Sequence, residues 1–313
     1  MGLSPLRNEN PTMDETRISQ TEELHPSTLD LDLLSTHDLL HRINDEDRRA
    51  AWAVEREIDV IATAVDAIAE RLRTGGTLHY FGAGTSGRIA VLDAAEMRPT
   101  FGADGMVVAH LAGAPQALTS AVEGAEDDRA AGRAEAAGSL RPADAVIGIS
   151  ASGRAAYVLG AIEAAFETAA LTIGITGDGD SSLARAVQIP VVLRTGPEVI
   201  AGSTRMKAGA ALKMTLAMIS TAVMVKLGRV YGNLMVNMIA SNAKLRARAE
   251  RIVASLAAVD QAAAASALGQ ARGEIDTAIV MLRCACDPAQ ARERLARSGH
   301  SLRAVLDGLR GPA

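Results

Sequence analysis

The stretch Tyr80-Phe-Gly-Ala-Gly-Thr-Ser-Gly-Arg88 closes an apolar run that begins at Leu78. Gly82, Gly84 and Gly87 spell G-x-G-x-x-G, the spacing of a tight turn from a strand into a helix. A dinucleotide-binding domain adds an Asp or Glu at the end of the next strand, about 20 residues on, to hold a ribose hydroxyl. Here the next strand candidate ends His110-Leu-Ala-Gly113, without an acid. The loop instead carries two hydroxyls, Thr85 and Ser86, which suits the phosphate of a smaller ligand.

Working outward, short apolar runs recur at 77–83, 106–112, 145–151, 171–176 and 187–193, each bounded by Gly, Asp or Pro. Helical patterns fill the intervals. Continuous apolar strands alternating with helices predict an α/β fold, a three-layer α/β/α sandwich on a five-stranded parallel sheet covered on both faces. Ligands of such sheets bind at the carboxyl ends of the strands, where the glycine loop lies. Ahead of the sheet, Trp52, Val54, Ile58, Ile61, Val65, Ile68 and Leu72 predict one helix closed by Gly75-Gly76, with Ser35 or Thr36 as the cap upstream. A long helix is predicted from about residue 204 to 227. From residue 243 the chain is Ala-rich with interleaved charge and reads as short helices, interrupted at Asp287-Pro288 and Ser298-Gly299. The expected organisation is a flexible arm over 1–20, a catalytic domain over 21–242 with a helical lead-in, and a small C-terminal helical subdomain over 243–313. Met13 is a second candidate start.

Composition narrows the function. Of 313 residues 48% are hydrophobic, enough for a large core, and only 2% aromatic, which argues against platforms for stacking bases. A net charge of −5 offers no basic field for nucleic acid. No apolar run of about 18 residues is free of charge or glycine breaks, so no membrane span is expected. The opening residues lack the order of a signal peptide, and two cysteines, Cys284 and Cys286, are too few for a disulfide framework; a cytoplasmic location is expected. Neither the C-x-C pair nor the scattered histidines 25, 37, 41, 79, 110 and 300 show metal spacing, so all are read as structural and no metal is expected.

A second loop supports the phosphate reading. The third strand candidate runs into Ser150-Ala-Ser-Gly-Arg154, again hydroxyls and glycine before a helix. Helix N-termini present free N–H groups and the positive end of the helix dipole, a seat for a phosphomonoester. The phosphate-binding candidates are Thr85, Ser86, Gly87, Ser150 and Ser152, then Ser203, Thr204 and Lys207 in "GSTRMKAG". The plainer alternative is a set of ordinary strand-to-helix turns, with Ser203 capping its helix and Lys207 in solvent.

Several segments carry a resemblance: "TEELHPSTLDLDLLST" (21–36), "FGAGTSGRIAVLDAAEMRPTFG" (81–102), "AVEGAEDD" (121–128), "GISASGRAAYVLGAIEAA" (148–165) and the long block from "GPEVIAGSTRMKAG" to "SNAKL" (196–245). The loops resemble the sugar isomerase (SIS) domain family, and the longer blocks are similar to its N-acetylmuramic acid 6-phosphate etherases. That resemblance implies a homodimeric cytoplasmic lyase of peptidoglycan recycling. It would convert N-acetylmuramate 6-phosphate and water to N-acetylglucosamine 6-phosphate and D-lactate. It also implies Glu96 as the acid/base at the lactyl ether oxygen and Glu126 as a partner base near C2; Glu198 is a further candidate, for ring opening.

The chain departs from the family pattern in two places. Met97-Arg98 stands where the family usually has Cys-Pro, and Gly177-Asp-Gly-Asp180 replaces a loop that commonly contains Asn-Pro. Without the resemblance, Glu96 reads as a solvated helix-end acid and Glu126 as part of an acidic run with Glu123, Asp127 and Asp128. Two rival functions share the loops: a phosphosugar aldose–ketose isomerase, and a non-catalytic sensor of sugar phosphates. None of these readings requires a cofactor.

Overall fold

The computed structural model describes residues 20–308. The arm expected over 1–20 therefore lies, apart from Gln20, outside the described residues, as does Met13.

Helix α1 (Thr36–Glu55) starts where Ser35 accepts the Asp38 N–H at 3.2 Å. Helix α2 (Ile58–Arg73) buries Ile61, Ala64, Val65, Ile68, Ala69 and Leu72, a helical stripe. The single helix expected over 52–72 is thus two, broken at Arg56-Glu57. Glu57 is buried there, and its carboxylate accepts the Val192 N–H at 3.2 Å and Arg194 at 3.3 Å. The helix yields so that a carboxylate can hold the edge of the sheet.

Strands β1 (Leu78–Gly82), β2 (Val107–Leu111), β3 (Ala145–Ile149), β4 (Leu171–Thr176) and β5 (Ile189–Val192) form one all-parallel sheet in the order β2-β1-β3-β4-β5. β1 and β3 are buried at every residue, as continuous apolar runs require. β5 lies at the edge, where Pro190 removes no ladder hydrogen bond that the sheet needs.

α3 (Gly84–Phe101) joins α1, α2 and the long helix α7 (Lys207–Lys226) on one face, around Tyr80, Ile147, Ile173 and Leu216. α4 (Arg129–Ser139), α5 (Ala156–Glu167) and the short α6 (Ser182–Ala186) cover the other, around Phe81, Val146, Tyr157 and Ile162. Three layers result. By length and composition α7 could cross a membrane, but its apolar residues Leu212, Leu216, Ile219 and Val223 are buried in the core against α1, α2 and α3.

Two histidines sit under α4. His79 Nδ1 lies 3.0 Å from His110 Nε2, His110 Nδ1 lies 2.9 Å from Glu135, and the Tyr157 hydroxyl donates to Glu135 at 2.5 Å. Beyond α7 the chain builds α8 (Ala243–Ala257), α9 (Gln261–Gln270), α10 (Ile275–Cys284), α11 (Pro288–Arg297) and α12 (Leu302–Gly308), with an apolar cluster of their own. Asp287-Pro288, which read as an interruption, starts α11. Asp287 and Gln290 form a capping box and Pro288 takes the first turn, where its missing N–H costs nothing.

Candidate active site

The loop after β1 owes its shape to two glycines in contact. A Cβ on Gly82 would meet the Gly87 Cα at 2.8 Å, and one on Gly87 would meet the Leu111 side chain at 2.4 Å. Helix α3 is thereby drawn onto β1 and β2. Gly87 serves this packing: its N–H donates to the Ala83 carbonyl at 3.2 Å, and it does not line the cleft. α3 has no side-chain cap, so its first N–H groups face the cleft beside the half-buried Thr85 and Ser86.

After β3 the chain turns through Gly153 at φ +68°, where a Cβ would strike the Ser181 side chain at 2.2 Å. α5 likewise lacks a side-chain cap. Ser150, 6% exposed, accepts the Ala155 N–H at 3.4 Å, and Ser152 accepts the Arg154 N–H at 3.3 Å. The two helix starts converge on one cavity of about 330 Å³, lined among others by Thr85, Ser86, Ser150, Ser152, Thr204 and Glu126. That volume lies in the range of small-molecule sites, about 300–1,000 Å³. Two positive helix ends and a ring of hydroxyls fit a phosphate.

Among the lining residues that the sequence reading did not single out are Thr21, Glu22, Asp127, Arg154 and Gly202. Arg154 is, among the described lining residues, the basic one. Thr21 and Glu22 arrive because the Thr21 carbonyl accepts the Gly202 N–H at 2.9 Å, a contact across the chain that no local pattern signals. Arg88, closer in sequence to the loop, is spent on the Ala117 and Ser120 carbonyls at 2.8 and 2.9 Å. Within the acidic run, Asp128 caps α4 through the Ala131 N–H at 2.8 Å, whereas Glu126 and Asp127 face the cleft.

The "GSTRMKAG" segment divides. Thr204 lines the cleft and Ser203 does not. Nor does Ser203 cap α7, which begins at Lys207 rather than near 204. Glu198, fully buried, accepts the Lys207 and Ala208 N–H groups at 3.2 and 2.9 Å, with burial pushing its pKa up. Glu198 therefore sits behind the cleft as a remote cap. Lys207 is 1% exposed and donates to Glu46 at 2.6 Å; His25 lies 3.1 Å from the same carboxylate oxygen. Burial alone would raise the Glu46 pKa, but the hydrogen bond and charge of Lys207 outweigh it and hold Glu46 ionised. The structure places Lys207 outside the cleft, in this pinned ion pair.

Glu96 lies elsewhere. It follows Ser86 by ten residues along α3, about 15 Å of helix at 1.5 Å per residue. It lines a separate groove of about 190 Å³ between α3 and α7, with Asp93, Lys213, Leu92, Ala217 and Ser220. Tyr80 and Ser220 donate to Asp93 at 3.0 and 3.1 Å, and burial raises the Asp93 pKa against those bonds. One copy of the chain thus brings Glu126 to the hydroxyl cleft and leaves Glu96 out of it. Of the two unusual neighbours, Met97 packs into the core at 4% exposure while Arg98 pairs with Asp104 at the surface.

The SIS domain family matches residues 119–227, and the glucokinase regulatory protein N-terminal SIS domain matches 60–166. N-acetylmuramic acid 6-phosphate etherase of Symbiobacterium thermophilum is 49% identical over 84% of this chain and 88% of its own length. The chain belongs to the N-acetylmuramic acid 6-phosphate etherase family. The family's enzyme of Salmonella agona is 46% identical over 93% of this chain and 98% of its own length, and that of Thermobifida fusca 51% over 84% and 86%. The Salmonella relative thus matches this chain over nearly its whole length.

Proposed function

We propose that the chain is a carbon–oxygen lyase that cleaves the D-lactyl ether of N-acetylmuramate 6-phosphate, giving N-acetylglucosamine 6-phosphate and D-lactate. One observation carries this reading beyond the family match: Glu126 opens into the same cleft as Thr85, Ser86, Ser150 and Ser152. A phosphate held by those hydroxyls and the two helix ends leaves the sugar carbons beside a carboxylate.

The chemistry follows from the substrate. Water does not displace an alkoxide at neutral pH, but in the open-chain sugar the C2 proton is acidified by the C1 aldehyde. A base removes that proton, the C3–O bond breaks, and an acid protonates the departing lactyl oxygen. Water then adds at C3 of the unsaturated aldehyde, and C2 takes back a proton. Each general acid or base contributes about 10²–10⁴-fold. We assign Glu126 to C2 and Glu96 to the ether oxygen and the water.

Since one chain separates these glutamates, we propose a homodimer in which each site takes Glu126 from one copy and Glu96 from the other. The rim of the Glu96 groove supports this. Leu92 is 52% exposed there and Met218, further along α7, 38%, an apolar face suited to a partner copy. We place the enzyme in the cytoplasm, on sugars released from the cell wall.

Lactate release from N-acetylmuramate 6-phosphate tests the activity; an isomerase, or a sensor that only binds, releases none. The shared site is tested by mixing Glu96→Gln and Glu126→Gln chains after subunit exchange. Mixed dimers then hold one intact site, and about a quarter of wild-type activity returns. If both glutamates acted within one chain, the mixture would stay inactive.

A further inference from the structure

The substrate proposed above carries two anions, and the hydroxyl cleft accounts only for the phosphate. In the lactyl group the carboxylate carbon is separated from the ether oxygen by a single carbon. Its oxygens therefore stay within about 4 Å of the ether oxygen in any rotamer. Whatever group protonates that oxygen shares its cavity with the carboxylate. On the reading above the group is Glu96 and the cavity is the groove between α3 and α7.

A substrate carboxylate entering this groove meets Asp93 and Glu96, so a cation is needed to offset the repulsion. Lys213 is the basic residue among those lining the groove. It is exposed, and among the described residues no carboxylate lies within ion-pair distance of it, whereas Lys207 and Lys226 of the same helix pair with Glu46 and Asp66. Asp93, on which its charge acts, is already occupied by the hydroxyls of Tyr80 and Ser220. Lys213, Ala217, Ser220 and Thr221 follow at helical spacing along one face of α7. Opposite them, Ile89 and Leu92 offer apolar surface for a methyl group.

We propose that Lys213 determines specificity for the lactyl carboxylate, holding it beside Glu96 while Ile89, Leu92 and Ala217 receive the lactyl methyl. The inference rests on the etherase reading and goes past it, because it names the group that distinguishes the lactyl ether from a neutral one. The distinguishing pair of probes is N-acetylmuramate 6-phosphate and its lactyl carboxamide, equal in shape and lacking the charge.

The experiment compares kcat/KM for acid and amide in wild type, Lys213→Met and Lys213→Arg, with thermal unfolding as the check on folding. Wild type is expected to favour the acid by about ten- to a hundredfold, the range of one charge-assisted hydrogen bond. In Lys213→Met the ratio is expected to approach unity, and Lys213→Arg to restore most of it. An unchanged ratio in Lys213→Met, or equal losses on both substrates, overturns the inference and leaves the etherase reading intact. Failure of the wild type to release lactate from the acid overturns the reading itself, and the inference with it.

Discussion

The two cavities along α3 are built differently. At its first turn the cleft sets hydroxyls and the N–H groups of uncapped helices among Glu22, Glu126, Asp127 and Arg154, and its shape is fixed by glycine contacts within one chain. Along its last turns the groove holds charged side chains, Asp93, Glu96 and Lys213, between apolar residues left in solvent. The first is complete in a single copy and suited to binding. The second has acids and a cation but no ring of hydroxyls for a phosphate, so on the proposed mechanism it acts on a sugar whose phosphate is held elsewhere. On the proposed mechanism, phosphate binding and proton transfer to the ether are thereby separable, and each can be disturbed without the other.

The sharpest test of that separation is Glu96→Gln. On the proposed mechanism it lowers kcat by about 10²–10⁴-fold with little change in the affinity for N-acetylglucosamine 6-phosphate. A comparable loss of affinity would merge the two cavities into one function. Next in size is Lys207→Met, which leaves Glu46 buried without its main partner. A loss of about 3 kcal/mol in stability is expected, read as a shift in the urea midpoint at constant slope. Replacing Glu46 by Gln in the same chain should recover much of it. If Lys207→Met instead weakened phosphosugar binding at unchanged stability, the lysine would belong to the cleft after all.

Ser86→Ala comes third and mirrors the first test. Removing one hydroxyl from a charged acceptor costs about 1.5–3 kcal/mol, so affinity for the phosphosugar falls by about ten- to a hundredfold while kcat at saturation holds. Calorimetry with the product reads the one and lactate release the other. The smallest effect at neutral pH is expected on the far side of the sheet. Burial, and then the neighbouring His110, lower the His79 pKa to about 4 from an ordinary value of 6.5. The unfolded chain thus binds a proton at a pH where the native chain does not. His79 leaves stability whole above pH 6.5 and draws it down as the pH falls toward 4, by at most about 1.4 kcal/mol per pH unit. His79→Gln should flatten that part of the stability–pH curve without touching either cavity.

How far the sequence was legible depends on whether the cause of a feature is local. The strands were, because a parallel strand buried on both faces must be a continuous apolar run, as Ala145–Ile149 is. The cleft was too, since its glycines and hydroxyls follow directly on those strands. The break at Arg56-Glu57 was not, because its cause is the N–H of Val192, distant in sequence. The start of α7 was misjudged for the same reason: the capping group is Glu198, nine residues back, where local rules favoured Ser203. Thr21 and Glu22 escaped notice although the segment containing them matched the family, since nothing in it announces a backbone contact with Gly202.

By itself, then, the order of residues determined a parallel α/β sheet with hydroxyl-bearing glycine turns at its carboxyl edge, because strand burial and turn chemistry are properties of neighbouring residues. Only the tertiary structure decided where the charged groups went. It turned Lys207 inward to Glu46, gave Lys213 to the groove, and set Glu96 some three helical turns from the hydroxyls that begin its own helix. The reason is that a carboxylate or ammonium has no fixed role along a chain; its partner does the assigning, and partners are chosen by packing.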